Sequence, residues 1–226
     1  MTGAIDRPVV IFGTGELAQL AHYYFSHDSA RTVAAFTVDE KYLSGSDYLG
    51  LPLCAFESLD AHYPPDRFDL FVAIGYTGLN SARAQRCALA KARGYRLASY
   101  VSSRASTWPD LVIGDNCFIM EGNVIQPFVR IGHHVIMFCS SLVSHHVDIG
   151  DNCFIGSEAT ISGGVRIGAN SFIGVNTTIR EHLRIGADCI IGAGSLILRD
   201  TAAGSGYLVS GTADSGIPSR RLRSLL

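Results

Sequence analysis

From Val101 onward an aliphatic residue returns at every sixth position. The series runs Val101, Thr107, Ile113, Ile119, Ile125, Ile131, Met137, Val143, Ile149, Ile155, Ile161, Ile167, Ile173, Ile179, Ile185, Ile191 and Ile197, and only Thr107 is not aliphatic. Four positions after each sits a mostly small or aliphatic residue, such as Ala105, Cys117, Val147, Ala159, Ser171, Cys189 and Ser195. Two inward positions separated by one outward residue is strand alternation. The register is unbroken from 101 to 197, which predicts a parallel β-helix built on hexapeptide repeats.

A second period lies on the first. Ile-Gly recurs at 113, 131, 149, 167 and 185, every 18 residues. Three hexads therefore close one coil of a triangular prism, and coils stack roughly 4.8 Å apart. The segment IGDNCFI occurs at 113–119 and again at 149–155. Its copies fall on one side of the prism, two coils apart. The fourth position of each hexad, including Asn116, His134, His146, Asn152, Gly164, Asn170 and His182, is dominated by Gly, Asn, Asp and His. These residues tolerate the positive φ that a tight corner demands. The column extends to Arg104, Asp110 and Asp200.

The outward strand centres form three columns. One reads Phe118, Ile136, Phe154, Phe172, Ile190; a second Val124, Leu142, Thr160, Thr178, Leu196; the third Val112, Arg130, Asp148, Arg166, Arg184. An apolar ladder on an outer face calls for a partner. The first column is read here as the interface of a homotrimer.

The first hundred residues follow another pattern. RPVVIFGTGELAQLAHYYF reads as strand, glycine turn and helix. TVAAFTVDE is a second strand ending in Asp39, FDLFVAIGY a third, and RLASYV a fourth that leads into the solenoid. A helix over SARAQRCALAKARGY stops at Gly94. Alternating strands and helices predict a small parallel α/β domain. Gly13 and Gly15 would let a phosphate approach backbone N–H groups at a helix N-terminus. Asp39 could bond a ribose or base, with Asn80 and Arg83 from GYTGLNSAR as further candidates. The domain is too short for a full dinucleotide fold, which favours a nucleotide or sugar-nucleotide over NAD. The expected division is 1–100, 101–202 and a tail at 203–226.

Composition adds exclusions. Eighteen Lys and Arg face 20 Asp and Glu, so a nucleic acid or an anionic surface is not implied. The chain's start lacks a signal peptide's apolar run, no 18-residue apolar stretch exists, and a cytoplasmic protein is expected. Six cysteines form no CxxC pair. Cys117, Cys153 and Cys189 share an inward column at roughly 10 Å spacing, too far for a disulfide. Cys139 at a corner is a candidate nucleophile.

A glycine-turn α/β domain followed by an uninterrupted hexapeptide solenoid resembles the bacterial sugar acyltransferases of the sialic-acid and bacillosamine type, over roughly residues 8–202. The resemblance implies a left-handed β-helix, a homotrimer, acyl-CoA as donor (acetyl-CoA first) and a nucleotide-linked sugar as acceptor, with no permanently bound cofactor and no metal. It also places a catalytic histidine in SSLVSHHVDIGDN, at His145. A neutral imidazole there can take the proton an amine or hydroxyl loses on attacking a thioester. Gly163 in ISGGV, flanked by Ser162 and Gly164, matches the glycine that binds the acyl carbonyl.

This chain departs from the pattern in places. Ser144 and His146 flank His145 where many relatives carry carboxylates. Phe154 stands where some have a second histidine, and SGTADSGIPSR replaces the usual closing motif. His134, His146 and His182 lie in the corner column, which gives them a structural role, and His133 reads as surface. Three classes remain open: an N-acyltransferase on a nucleotide-linked amino sugar, with O-acetylation as its variant; a γ-type carbonic anhydrase using His133, His145 and His182 on zinc across an interface; and a non-catalytic binding protein.

Overall fold

The computed structural model describes residues 7–213 and Ile217. Residues 1–6 of the N-terminal stretch, and 214–216 and 218–226 of the expected tail, lie outside them. Two-residue strands form at every sixth position from Val112–Ile113 to Leu196–Ile197. They stack parallel in three sheets, the faces of the prism. The first face holds seven strands, from Tyr100–Val101 through Phe118–Ile119, Ile136–Met137 and Phe154–Ile155 to Gly206–Tyr207. The second holds five, Val124–Ile125 to Leu196–Ile197; the third holds five, Val112–Ile113 to Arg184–Ile185. Partners lie one 18-residue coil apart, as Ile136 with Phe154. The fold is a left-handed parallel β-helix preceded by a small α/β domain. Its last coil is shorter, because Ile190 pairs with Gly206.

The inward columns fill the prism. Ile119, Ile155, Ile173 and Ile191 are fully buried in one continuous core. Each such side chain stabilises the fold by about 1.5–3 kcal/mol. The corners adopt positive φ, including Phe128 (66°), His134 (61°), His146 (59°), Glu158 (60°) and His182 (60°). Arg104, Asp110 and Asp200, at the ends of the column, do not. The recurrent Ile-Gly also has a steric cause. A Cβ on Gly150 would sit 2.7 Å from the backbone nitrogen of Ala169 in the next coil.

Ahead of the solenoid come β1 (Val9–Phe12), α1 (Glu16–His27), β2 (Val33–Val38), β3 (Asp47–Tyr48), β4 (Leu51–Ala55), α2 (Leu59–His62), β5 (Asp69–Val72) and α3 (Ser81–Ala92). The sheet order is β3-β4-β2-β1-β5. The sheet is mixed, because β3 runs antiparallel to β4, a hairpin the sequence reading missed. The expected fourth strand divides. Leu97 makes a single bridge to Leu70, whereas Tyr100–Val101 pairs with Phe118–Ile119 as the first rung of the first face.

That face corrects the interface expectation. Phe118 and Ile136 are fully buried and Phe154 is 4% exposed. They pack with Phe25, Phe71, Ala98 and Tyr100, so the chain's own α/β domain covers the ladder. Tyr76 packs its ring on Phe154 and Phe172. Only Ile190, 41% exposed, stands clear. An apolar outward column says that something must cover it, and here the cover is intramolecular.

Asn80 and Arg83 fasten the domain to the prism. Both are fully buried. Arg83 Nε donates to His134 O (2.9 Å), and Nη2 donates to Asn152 O (2.9 Å) and to Asn80 Oδ1 (3.0 Å). Asn80 Nδ2 donates to Asn170 O (3.1 Å). Burial pushes the Arg83 guanidinium down to about 10. Among the described residues no helix is long and apolar enough to cross a membrane.

Candidate functional site

His145 stands at the corner between the second and third faces, after Leu142–Val143 and before Asp148–Ile149. This vertex lies opposite the first face, which carries the α/β domain. The side chain is exposed. Its backbone N–H donates to Gln126 Oε1 (2.9 Å), one coil below. Its Nδ1 lies 3.1 Å from Nδ1 of His146. The His146 ring in turn rests against Phe128, with centroids 4.7 Å apart.

One coil above, Ser162, Gly163 and Gly164 complete the corner. Ser162 N–H is spent on the ladder, at 3.1 Å from Ile179 O. Gly164, at φ 71°, donates to His145 O (2.9 Å). Gly163 lies buried beneath the imidazole: a Cβ there would meet His145 Cε1 at 2.7 Å and Nε2 at 3.0 Å. At this hexad position the backbone N–H points out of the ladder. Asp115, His133 and His145 give theirs to side chains. Gly163 N–H has no hydrogen-bond partner among the described residues. An imidazole and an unclaimed amide N–H therefore meet at one corner. A cleft of about 440 Å³ opens at His146, lined also by Phe128, Arg130, Asp148 and Arg166; neither His145 nor Gly163 lines it.

The other histidines lie elsewhere. His133 pairs with Asp115 (2.6 Å), which also binds Lys91 (2.6 Å). His134 keeps a buried Nδ1 without a hydrogen bond, 3.7 Å from Asp115 Oδ1, and burial lowers its ring to about 4. Both occupy the corner between the third and first faces, so His133 cannot join His145 within one chain. Among the described residues no group of three His, Cys, Asp or Glu side chains is placed to hold a metal ion. Cys139 occupies the corner between the first and second faces, with Sγ 3.4 Å from Ser157 Oγ, and is not beside His145. Burial pushes the Cys117 and Cys153 thiols up to about 12.

A second cleft, about 410 Å³, opens in the α/β domain, lined among others by Gly13, Thr14, Asp39, Tyr42, Thr77 and Arg86. Gly13 takes φ 121°, and a Cβ there would lie 3.1 Å from Ala73 O. Gly15 is the N-cap of α1 with open space around it. Asp39 is ion-paired to Arg86 (2.7 Å), whose guanidinium packs over the rings of Phe12 and Phe56. Arg83, the arginine expected there from the sequence, lies one turn away on the same helix. Gly15, Asn80 and Arg83 are absent from the cleft lining, the polar groups of Asn80 and Arg83 being used between the domains. Arg86, Tyr42, Gln126 and the pairing of His146 carried no signal in spacing.

Residues 164–199 match the family model described as bacterial transferase hexapeptide (six repeats). Residues 146–181 match that of the hexapeptide repeat of succinyl-transferase. No curated protein sequence matches the chain significantly. Among solved structures, perosamine N-acetyltransferase from Caulobacter crescentus, in complex with CoA and GDP-perosamine, is 28% identical with a TM-score of 0.81, over 91% of this chain and 95% of that one. The acetyltransferase domain of PglB from Neisseria gonorrhoeae shares the fold at 24% identity and a TM-score of 0.79, over 90% and 97% of the two chains. WeeI from Acinetobacter baumannii shares it at 21% identity and 0.75, over 88% and 95%. With its repeat, its α/β partner domain and these likenesses, the chain is a hexapeptide-repeat acyltransferase that resembles sugar N-acetyltransferases.

Proposed function

We propose that the protein transfers an acyl group, acetyl in the first instance, from acyl-CoA to the amine of a nucleotide-linked amino sugar in the cytoplasm. The observation that carries this reading is the exposed His145 ring beside the unclaimed Gly163 N–H. As the amine attacks the thioester carbonyl, His145 Nε2 takes its proton. The new C–N bond leaves a tetrahedral oxyanion, and Gly163 N–H donates to it. The C–S bond then breaks, and the imidazolium returns its proton to the CoA thiolate. No acyl-enzyme forms, because Cys139 stands at another corner. The perosamine enzyme structure compared above is a histidine-to-asparagine variant with CoA and GDP-perosamine bound, which supports a ternary complex of this kind.

The acceptor's nucleotide is assigned to the cleft at Gly13, Asp39 and Arg86, with Gly15 outside its lining at the N-terminus of α1. That cleft belongs to a domain seated on the first face, whereas His145 lies at the opposite vertex. A homotrimer in which one copy's cleft faces the next copy's His145 resolves the separation. Steady-state kinetics of His145→Asn test the reading. A fall in kcat of about 10²–10⁴ is expected, with CoA binding retained. Full activity of that variant on the true acceptor would overturn it.

A further inference from the structure

We infer that His146 is the positioning residue of His145, fixing the proton on His145 Nδ1 and leaving the Nε2 lone pair free. The inference rests on His145 being the base. Two unprotonated ring nitrogens 3.1 Å apart would turn lone pair against lone pair, so one of them carries the hydrogen. If His146 donated, His145 would hold its own proton on Nε2 and could accept none there. If His145 donates, its Nε2 is basic and its orientation is fixed by the bond.

The surroundings favour the second arrangement. His146 is the anchored member: its backbone sits at φ 59° and its ring against Phe128. The exposed His145 ring has no other hydrogen bond among the described residues. With Nδ1 accepting, His146 carries its proton on Nε2. The cleft it lines contains Asp110 and Asp148, which suit an N–H, together with Arg130 and Arg166, which do not. Arg166 Nε lies 3.8 Å from Asp148, so part of that opposing charge is already matched. His182 stands over Gly164 at the same corner. When His145 gains its second proton, the Nδ1–H to His146 becomes charge-assisted and shortens. The partner stays neutral throughout, and no proton passes along the pair.

Nitrogen-detected NMR of the histidine rings reads the tautomer without any turnover. His145 is expected protonated on Nδ1 in the intact protein and mainly on Nε2 in His146→Gly. Glycine suits this corner, since Gly164 holds φ 71° one coil above. In kinetics, His146→Gly should lower kcat by about 10- to 100-fold, the range for removing a working histidine's partner. KM for donor and acceptor should not move. His146→Asp should restore kcat, because a carboxylate accepts the same N–H and Asp188 already occupies such a corner at φ 57°. An Nε2–H tautomer of His145 in the unaltered protein, or full kcat in His146→Gly, would overturn the inference. Full activity in His145→Asn would instead remove the base, and the tautomer measurement would still decide the pair.

Discussion

Gly163 lies directly under the imidazole of His145, so close that a methyl group on it would stand 2.7 Å from Cε1. Two consecutive coils thus meet at the acyl-transfer corner with no room for a side chain between them. Gly163→Ala keeps the backbone N–H and removes only that space. It should displace the ring and lower kcat by about 10-fold or more, as misplaced catalytic groups do. Thermal stability should change little, because His145 is exposed and can move. Wild-type kcat in Gly163→Ala would show that the ring works from another position.

Arg83 gives the contrary expectation to the one its sequence context raised. Its guanidinium serves carbonyls on both sides of the domain junction. Arg83→Leu leaves His134 O and Asn152 O without that donor in a buried setting. The loss should be about 3 kcal/mol or more. Calorimetry should show a lower Tm, with the α/β domain separating as its own transition. A selective rise in acceptor KM at unchanged Tm would return Arg83 to the binding site.

The solenoid was legible because each inward position repeats, and one misread residue cannot hide a period of six. Its exposed columns were less so. Phe118 and Ile136 announce that a surface is covered, but hydrophobicity does not name the cover. Arg83 and Arg86 are three apart on one helix, and polarity cannot tell which turns to the solenoid and which to Asp39. Gln126 and His146 meet His145 only because of the corner's three-dimensional path. His145 itself was legible through resemblance, and its surroundings were not.

His134 should make stability fall in mild acid. Its ring lies at about 4 in the fold against 6.5 when free, chiefly through burial. Asp115 opposes that shift, while Lys91, His133 and Arg83 reinforce it. Between these values the unfolded chain binds a proton that the folded chain refuses. This contribution is therefore intact above about pH 6.5 and is lost as pH falls toward 4. Asn152 and Asn170 already occupy the same corner column at φ 60° and 62°. His134→Asn should accordingly fold and should flatten the decline of Tm across that window. An unchanged slope would place the acid sensitivity elsewhere.

The division of the site between copies can be tested by mixing two damaged chains. Gly15 has open space around its Cβ position and an ordinary φ of −84°, so Gly15→Val should fold and obstruct only the approach to the acceptor cleft. Activity at low acceptor concentration should then be poor in Gly15→Val and absent in His145→Ala. If cleft and His145 act within one chain, every chain in a mixed assembly carries one defect and mixing adds nothing. If one copy's cleft serves its neighbour's His145, a sound cleft meets a sound histidine at about a quarter of the sites in a random equal mixture. Co-expressed, co-purified chains should therefore recover about a quarter of wild-type activity. Recovery no greater than the average of the two separate variants would confine the site to a single chain and remove the argument for the trimer.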